Sequence, residues 1–229
     1  MIGRLTFIAA FLAAPMAAAQ DTPTPTVPEF PTRPADRSMP DRAEADTIIA
    51  SSEHPRLFEN VSDGRGPAVR HRASGLVCRF WPGLTGNAIN VYEATPGAED
   101  VSCQTFVEGA SVTHYASMYS PTPTAVAEMH SALAAIRERW PDLRAYTGET
   151  FNADAPELSL PQHYVSRGVV TQQDGEYMTK VSLAKAGGWI VKQRMTVKLE
   201  KAYRGDLWSE AMMVQALIEV AIGKEPGPP

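Results

Sequence analysis

Ser74-Gly-Leu-Val-Cys78-Arg-Phe-Trp81, Ala88-Ile-Asn-Val-Tyr92, Asp100-Val-Ser-Cys103-Gln-Thr-Phe-Val107 and Val112-Thr-His-Tyr115 are four short runs within Ser74–Tyr119 that decide the fold. Apolar and polar residues alternate along each run, the period of a half-buried strand. Pro82-Gly83, Thr95-Pro96-Gly97 and Glu108-Gly109 separate the runs with turn chemistry. The stretch predicts an antiparallel meander. It holds the only two cysteines, Cys78 and Cys103, on two strands and on the same side as Leu76, Phe80 and Val101. An inward-facing disulfide follows from that alternation. Closing a loop of this length stabilises a fold by about 3 to 4 kcal/mol in the chain-entropy model. A redox pair is the alternative. The spacing is not C-x-x-C, and no helix start lies beside either thiol to lower its pKa.

Upstream, residues 1–19 are apolar with one charge, Arg4, and finish with Ala17 and Ala19 at small-x-small spacing. That is the pattern of a cleaved signal peptide, too short in its apolar part to span a bilayer comfortably; an uncleaved anchor is the alternative. Residues 20–40 carry Pro23, Pro25, Pro28, Pro31, Pro34 and Pro40 among Thr, Asp and Glu. Such a segment reads as an extended, disordered spacer, or as a ligand for a proline-binding groove. Asp41 and Glu44 then fit a capping box opening a short helix to about Ala50.

Downstream, Pro121-Thr122-Pro123 opens a helix with Thr122 as cap and Pro123 at its first position. Val126, Met129, Leu133, Ile136 and Trp140 form one apolar stripe along it, and Pro141 stops it. Residues 142–162 form a long connection. Tyr164–Gln173 and Glu176–Ala186 read as a hairpin turned at Asp174-Gly175. Trp189–Glu200 follows Gly187-Gly188 as a strand with Trp189, Val191, Met195, Val197 and Leu199 on its buried face. Lys192, Arg194 and Lys198 lie on its wet face. A final helix, capped by Asp206, is read with Leu207, Ala211, Val214, Ile218 and Ala221 inward, and Gly223 and Pro226 end it.

The net charge is −5, from 21 basic and 26 acidic residues, and becomes −6 once Arg4 leaves with the leader. A mildly acidic chain with scattered cations lacks the basic face that nucleic acid or anionic lipid requires. His54, His71, His114, His130 and His163 are scattered at no zinc-binding spacing. Gly64-Arg65-Gly66 lacks the Gly-Lys-Ser/Thr of a phosphate loop, and no G-x-S-x-G elbow exists. The sequence therefore proposes no catalytic, cofactor-binding or metal-ligating residues. The disulfide residues Cys78 and Cys103 are its only site assignment.

The runs Ser74-Gly75-Leu76-Val77-Cys78, Asp100-Val101-Ser102-Cys103 and Thr113-His114-Tyr115 resemble an S-G-x-x-C, D-V-x-C, T-x-Y signature of uncharacterised exported alphaproteobacterial proteins. The order strands, long helix, hairpin set, C-terminal helix is similar, at the level of fold alone, to the α/β/α sandwich of the PsbP/Mog1-like group. The first resemblance brings no activity, and the second implies an accessory or binding role. Neither transfers a functional residue.

Together these readings predict a single α+β domain over residues 41–224, with residues 225–229 a disordered tail. An antiparallel sheet is expected to carry a long helix and a C-terminal helix. Trp189, Val191, Met195 and Val197 are expected beneath the helix from Pro123 to Trp140. The functional expectation is a non-catalytic periplasmic or secreted accessory or binding protein with an envelope protein or small molecule as partner. Two alternatives stay open: an envelope hydrolase whose site assembles in three dimensions, and a small-molecule carrier with an apolar cavity of some hundreds of Å³.

Overall fold

The computed structural model describes residues 38–95, 99–152 and 160–222. The leader, the spacer up to residue 37, most of the turn at residues 95–97, residues 153–159 of the long connection, the stop at Gly223 and Pro226, and the tail lie outside the described residues.

Among the described residues, three α-helices and ten strands follow one another: α1 (Ser38–Ala50), β1 (Phe58–Asn60), β2 (Ala68–His71), β3 (Val77–Arg79), β4 (Ala88–Glu93), β5 (Asp100–Val107), β6 (Ala110–Ser117), α2 (Ala125–Arg139), β7 (Arg144–Ala145), β8 (His163–Gln172), β9 (Gly175–Ala186), β10 (Trp189–Lys198) and α3 (Ala202–Ile222). The architecture is α+β. Seven strands form an antiparallel sheet in the order β4-β5-β6-β10-β9-β8-β7. Two of its hairpins turn on paired residues with positive φ, Glu108-Gly109 (51° and 84°) and Gly187-Gly188 (54° and 89°). That backbone matches the right-handed twist of the flanking strands. The β8–β9 turn sits one residue earlier than Asp174-Gly175, because Gly175 already pairs with Gln172.

Both faces of the sheet carry helix. Trp189 and Val191 pack with Met213, Ala216, Leu217 and Val220 of α3, and Met195 and Val197 pack with Ala202 and Met212. The expected burial of these four residues holds, but the covering helix is the C-terminal one. Helix α2 lies on the opposite face, where Met129, Ala132 and Ile136 meet Val181, Leu183 and Ile190. Strand periodicity explains the difference: Ile190 points away from Trp189 and Val191, so β10 buries residues on both faces. Of the ladder read as wet, Lys192 pairs with Glu128 of α2 at 3.0 Å.

Helix boundaries also move. Thr124, not Thr122, caps α2 and accepts a hydrogen bond from the Ala127 amide at 3.1 Å. Helix α1 starts at Ser38, ahead of Asp41, and Glu44 reaches away to Gly83 instead of closing a capping box. In α3, Asp206 is no cap. It lies one turn inside the helix and is fully buried with Ser209, Glu210, Met213, Ala216, Leu217 and Val220. The stripe read as inward, Leu207–Ala211–Val214–Ile218, is only half-buried, and Ala221 is exposed.

The remaining strands form a separate sheet, β1-β2-β3. Cys78 therefore does not sit in the meander with Cys103. Its strand β3 pairs with β2, through Val69↔Cys78, while Cys103 lies in β5 of the main sheet. The disulfide is formed, with Cα atoms 5.9 Å apart and both residues buried, and it staples the two sheets together.

Candidate functional site

Where the small sheet meets β5 and α3, a cleft of about 120 Å³ opens to solvent. Phe80, Trp81 and Pro82 form one wall, Phe106 and Val107 a second, and Met212 with Gln215 of α3 a third. Phe80 is buried in the main core, whereas Trp81 keeps 39% of its surface exposed on the rim. The wall is held from three directions. The Trp81 amide donates to Thr105 Oγ1 of β5 at 3.1 Å. Asn87 Nδ2 donates to the Trp81 carbonyl at 2.6 Å, and Asn87 Oδ1 accepts from Thr105 at 2.8 Å. Glu44 of α1 accepts from the Gly83 amide at 3.0 and 3.1 Å and from Asn87 at 3.2 Å. Two glycines make the walls close. A Cβ on Gly86 would stand 2.3 Å from the Phe106 ring. One on Gly66, where φ is +137°, would stand 3.0 Å from the Phe80 carbonyl oxygen. Side chains fixed this way are preorganised for binding.

Arg65 and Arg79 supply the charged part of the lining. Arg65 is hydrogen-bonded to Asp63, which holds that carboxyl below its usual range and the guanidinium above its own. Arg79 is held more loosely. Its carboxylate neighbours, Asp63 and Glu219, both stand at 3.6 Å, beyond a close charge-assisted hydrogen bond. Burial raises Glu219 against the opposing pull of Gln215 and Arg79. Among the described residues Arg79 makes no close charge-assisted hydrogen bond, which leaves its donors for a group entering the cleft.

Two further polar clusters lie inside the protein. Lys180 of β9 donates to Asp206 at 3.1 Å and to Glu210 at 2.7 Å, all three fully buried. Arg167 of β8 reaches both Asp206 oxygens at 3.0 Å, and the Phe151 amide donates to Asp206 at 2.8 Å. Glu210 also meets His163 at 3.3 Å. Burial pushes Glu210 up, but His163 and Lys180 outweigh it and hold the carboxyl down at about 2. Charges of both signs balance here, and the long connection is tied in through Phe151, so the cluster joins α3 to the sheet. The second cluster is His71, Ser74 and Glu99. His71 Nδ1 is 2.9 Å from Ser74 Oγ, and Nε2 is 3.2 Å from Glu99 Oε2 without hydrogen-bond geometry. A hydroxyl within reach of a histidine is the contact a hydrolase needs. Here both residues are at 0% exposure, and Ser74 Oγ already accepts from the Leu76 amide at 3.1 Å. His71 and Ser74 fix the turn from β2 to β3. Among the described residues, no group of three or more His, Cys, Asp or Glu side chains is placed to hold a metal ion.

Of the residues singled out in the sequence, Cys78 and Cys103 come together as the disulfide behind the cleft. The cleft itself escaped sequence reasoning, because Gly66, Trp81, Phe106 and Met212 converge only in space. One signal was present: the apolar run ending in Phe80-Trp81 breaks off at Pro82-Gly83.

No family model matches the chain, and no curated protein matches it. Among solved structures the matches include a Pseudomonas aeruginosa protein of unknown function, PA94. It is 10% identical with a TM-score of 0.37, over 71% of this chain and 99% of that one. They also include LpqN, involved in cell envelope biogenesis of Mycobacterium tuberculosis. That protein is 8% identical with a TM-score of 0.21, over 60% of this chain and 84% of that one. Likenesses this distant assign no function.

Proposed function

We propose that the protein is an exported, non-catalytic binding module whose Trp81 cleft receives an apolar side chain of a partner in the cell envelope. The leader at residues 1–19 supports export, and a formed disulfide fits an oxidising compartment. Among the described residues no helix is long and apolar enough to cross a membrane. The observation that carries the reading is the cleft: a rigid, aromatic-walled space with an exposed Trp and a loosely paired Arg79 on its rim. Trp and Arg are the residues in which binding energy concentrates at interfaces. At about 120 Å³ the space suits one ring or branched side chain more than a whole small-molecule ligand. A carrier is therefore the weaker reading. The hydrolase reading rests on His71 and Ser74, which line none of the cleft.

The test is a comparison of wild type with Trp81→Ala and Arg79→Gln in affinity capture from the protein's own envelope fraction, with fractionation of the untagged chain. A partner retained by wild type and lost by both variants, from a chain found outside the cytoplasm, is the expected result. A partner retained equally by all three would remove the cleft from the reading.

A further inference from the structure

Strands β4, β5, β6 and β10 present a second surface, on the side of the main sheet away from α3. Helix α2 takes only part of that side, resting on Val181 and Leu183 of β9 and Ile190 of β10. Beside the helix, side chains out of phase with Trp189 and Val191 line up in rows. One row runs Asn90↔Ser102↔Tyr115↔Lys192. The next holds Gln104↔Thr113↔Arg194. Ser102, small and 1% exposed, sits on the middle strand, so rings from the strands on either side lean together over it. Tyr92 and Tyr115 stack there, with ring centres 6.3 Å apart and planes 23° apart. The Tyr92 hydroxyl lies 3.2 Å from Ser102 Oγ, to which Asn90 Nδ2 donates at 3.4 Å. Tyr92 nonetheless keeps 59% of its surface in water.

The cations of β10 flank this platform. Lys192 Nζ stands 5.2 Å from the centre of the Tyr115 ring, in cation–π range, and donates to Glu128 at 3.0 Å. Arg194 follows two residues along on the same face. Among the described residues it has no ion pair. Burial and then the neighbouring Tyr92 raise the Tyr115 hydroxyl, while Arg194 and Lys192 pull against them. That hydroxyl is therefore a protonated donor at neutral pH.

We infer that this face is a second binding site, separate from the Trp81 cleft, and that its ligand is an acidic polysaccharide carrying carboxylates on pyranose rings. The Tyr92–Tyr115 platform supports the apolar C–H face of a sugar ring. Arg194 takes the carboxylate in a two-pronged hydrogen bond. Asn90 and Gln104 supply donors and acceptors for hydroxyls. An open sheet face suits a linear chain of sugars, the use that oligosaccharide-binding barrels make of theirs. Charge selects within that chemistry. Glu128 neutralises Lys192, so the face offers one net guanidinium. That matches a carboxylate, and not a phosphate at every unit as in nucleic acid. The net charge of −5 does not oppose it, because charges beyond about 8 Å are largely screened at physiological salt.

Calorimetric titration of the full chain with hexagalacturonate, maltohexaose and a six-nucleotide thymidine oligomer is the test. Wild type is expected to bind hexagalacturonate about tenfold or more tighter than either other probe. Tyr92→Ala and Arg194→Gln should each weaken that binding about tenfold, with the urea midpoint kept. Tyr92→Phe and Trp81→Ala should leave it within about threefold. Amide shifts of wild type on adding hexagalacturonate should fall on Tyr92, Tyr115 and Arg194 and spare Trp81, a readout that needs no variant. Equal binding of maltohexaose, tighter binding of the thymidine oligomer, or no binding of hexagalacturonate at millimolar concentration would each overturn the inference. Binding lost in Trp81→Ala and kept in Arg194→Gln would put the sugar in the cleft and overturn it as well. The cleft reading itself is decided separately, by the envelope-capture comparison.

Discussion

Lys180 Nζ donates to Glu210 Oε1 across 2.7 Å, one residue from the sheet and the other from α3, and neither side chain is reached by solvent. A buried pair contributes little net stability over an apolar replacement, but removing one partner strands the other charge. Lys180→Met is therefore expected to destabilise the fold by about 3 to 5 kcal/mol. The double variant Lys180→Met/Glu210→Leu should recover part of that loss, since Asp206 keeps Arg167. Urea unfolding of wild type, single and double variants measures both steps. A double variant no better than the single would mean that the pair is not the unit that counts.

The disulfide makes a different kind of contribution. With the cysteines 25 positions apart, its removal is expected to cost about 3.5 kcal/mol through the unfolded chain. Because it links β3 to β5, the loss should be felt unevenly. In Cys78→Ala/Cys103→Ala, amide exchange should accelerate first in β1–β3 and least in β8–β10, whose hairpins are long and continuous. Equal acceleration across both sheets would contradict the staple.

Acid sensitivity follows from two buried histidines. Burial pushes His71 down to about 4, and burial followed by the charge of Lys180 does the same to His114. Unfolded histidine titrates near 6.5, so below that pH the unfolded chain takes up protons that the folded one refuses. Stability is then fully present above pH 6.5 and falls as the pH drops toward 4, by about 2 kcal/mol for each histidine between pH 7.5 and pH 5. Glu99 and Glu219, both raised by burial, oppose this nearer the carboxylate range. His114→Gln should roughly halve the slope in urea unfolding measured from pH 7.5 to pH 5. A profile flat over that range in wild type would overturn the argument.

What the sequence disclosed is local. The β6, β9 and β10 strands, the long helix and the cysteine pairing are written in alternation, 3–4 spacing and glycine turns. The failures share one cause. Helix α3 buries Asp206, Ser209 and Glu210 against Lys180 and Gln193, so its inner face looks polar. Its half-exposed face carries Leu207, Val214 and Ile218 and looks like the core stripe. A periodicity argument assumes that buried means apolar, and here an ion cluster reverses it. Likewise nothing local tells β3 to pair with β2 instead of β4, because that choice is made by long-range packing around Trp189 and His71.

Phe80 and Trp81 are neighbours with opposite assignments, and that contrast tests whether the cleft binds or merely fills space. Phe80 is 4% exposed and packs in the main core, so Phe80→Ala should cost about 3 to 5 kcal/mol. Trp81 leaves 39% of its surface in water, and its wall is anchored through backbone atoms that the substitution keeps: its amide on Thr105 and its carbonyl on Asn87. Trp81→Ala should therefore cost about 1 kcal/mol or less in urea unfolding. A conserved midpoint together with lost binding identifies a side chain spent on recognition. A loss of stability as large as that of Phe80→Ala would make Trp81 a core residue and leave the cleft without its anchor.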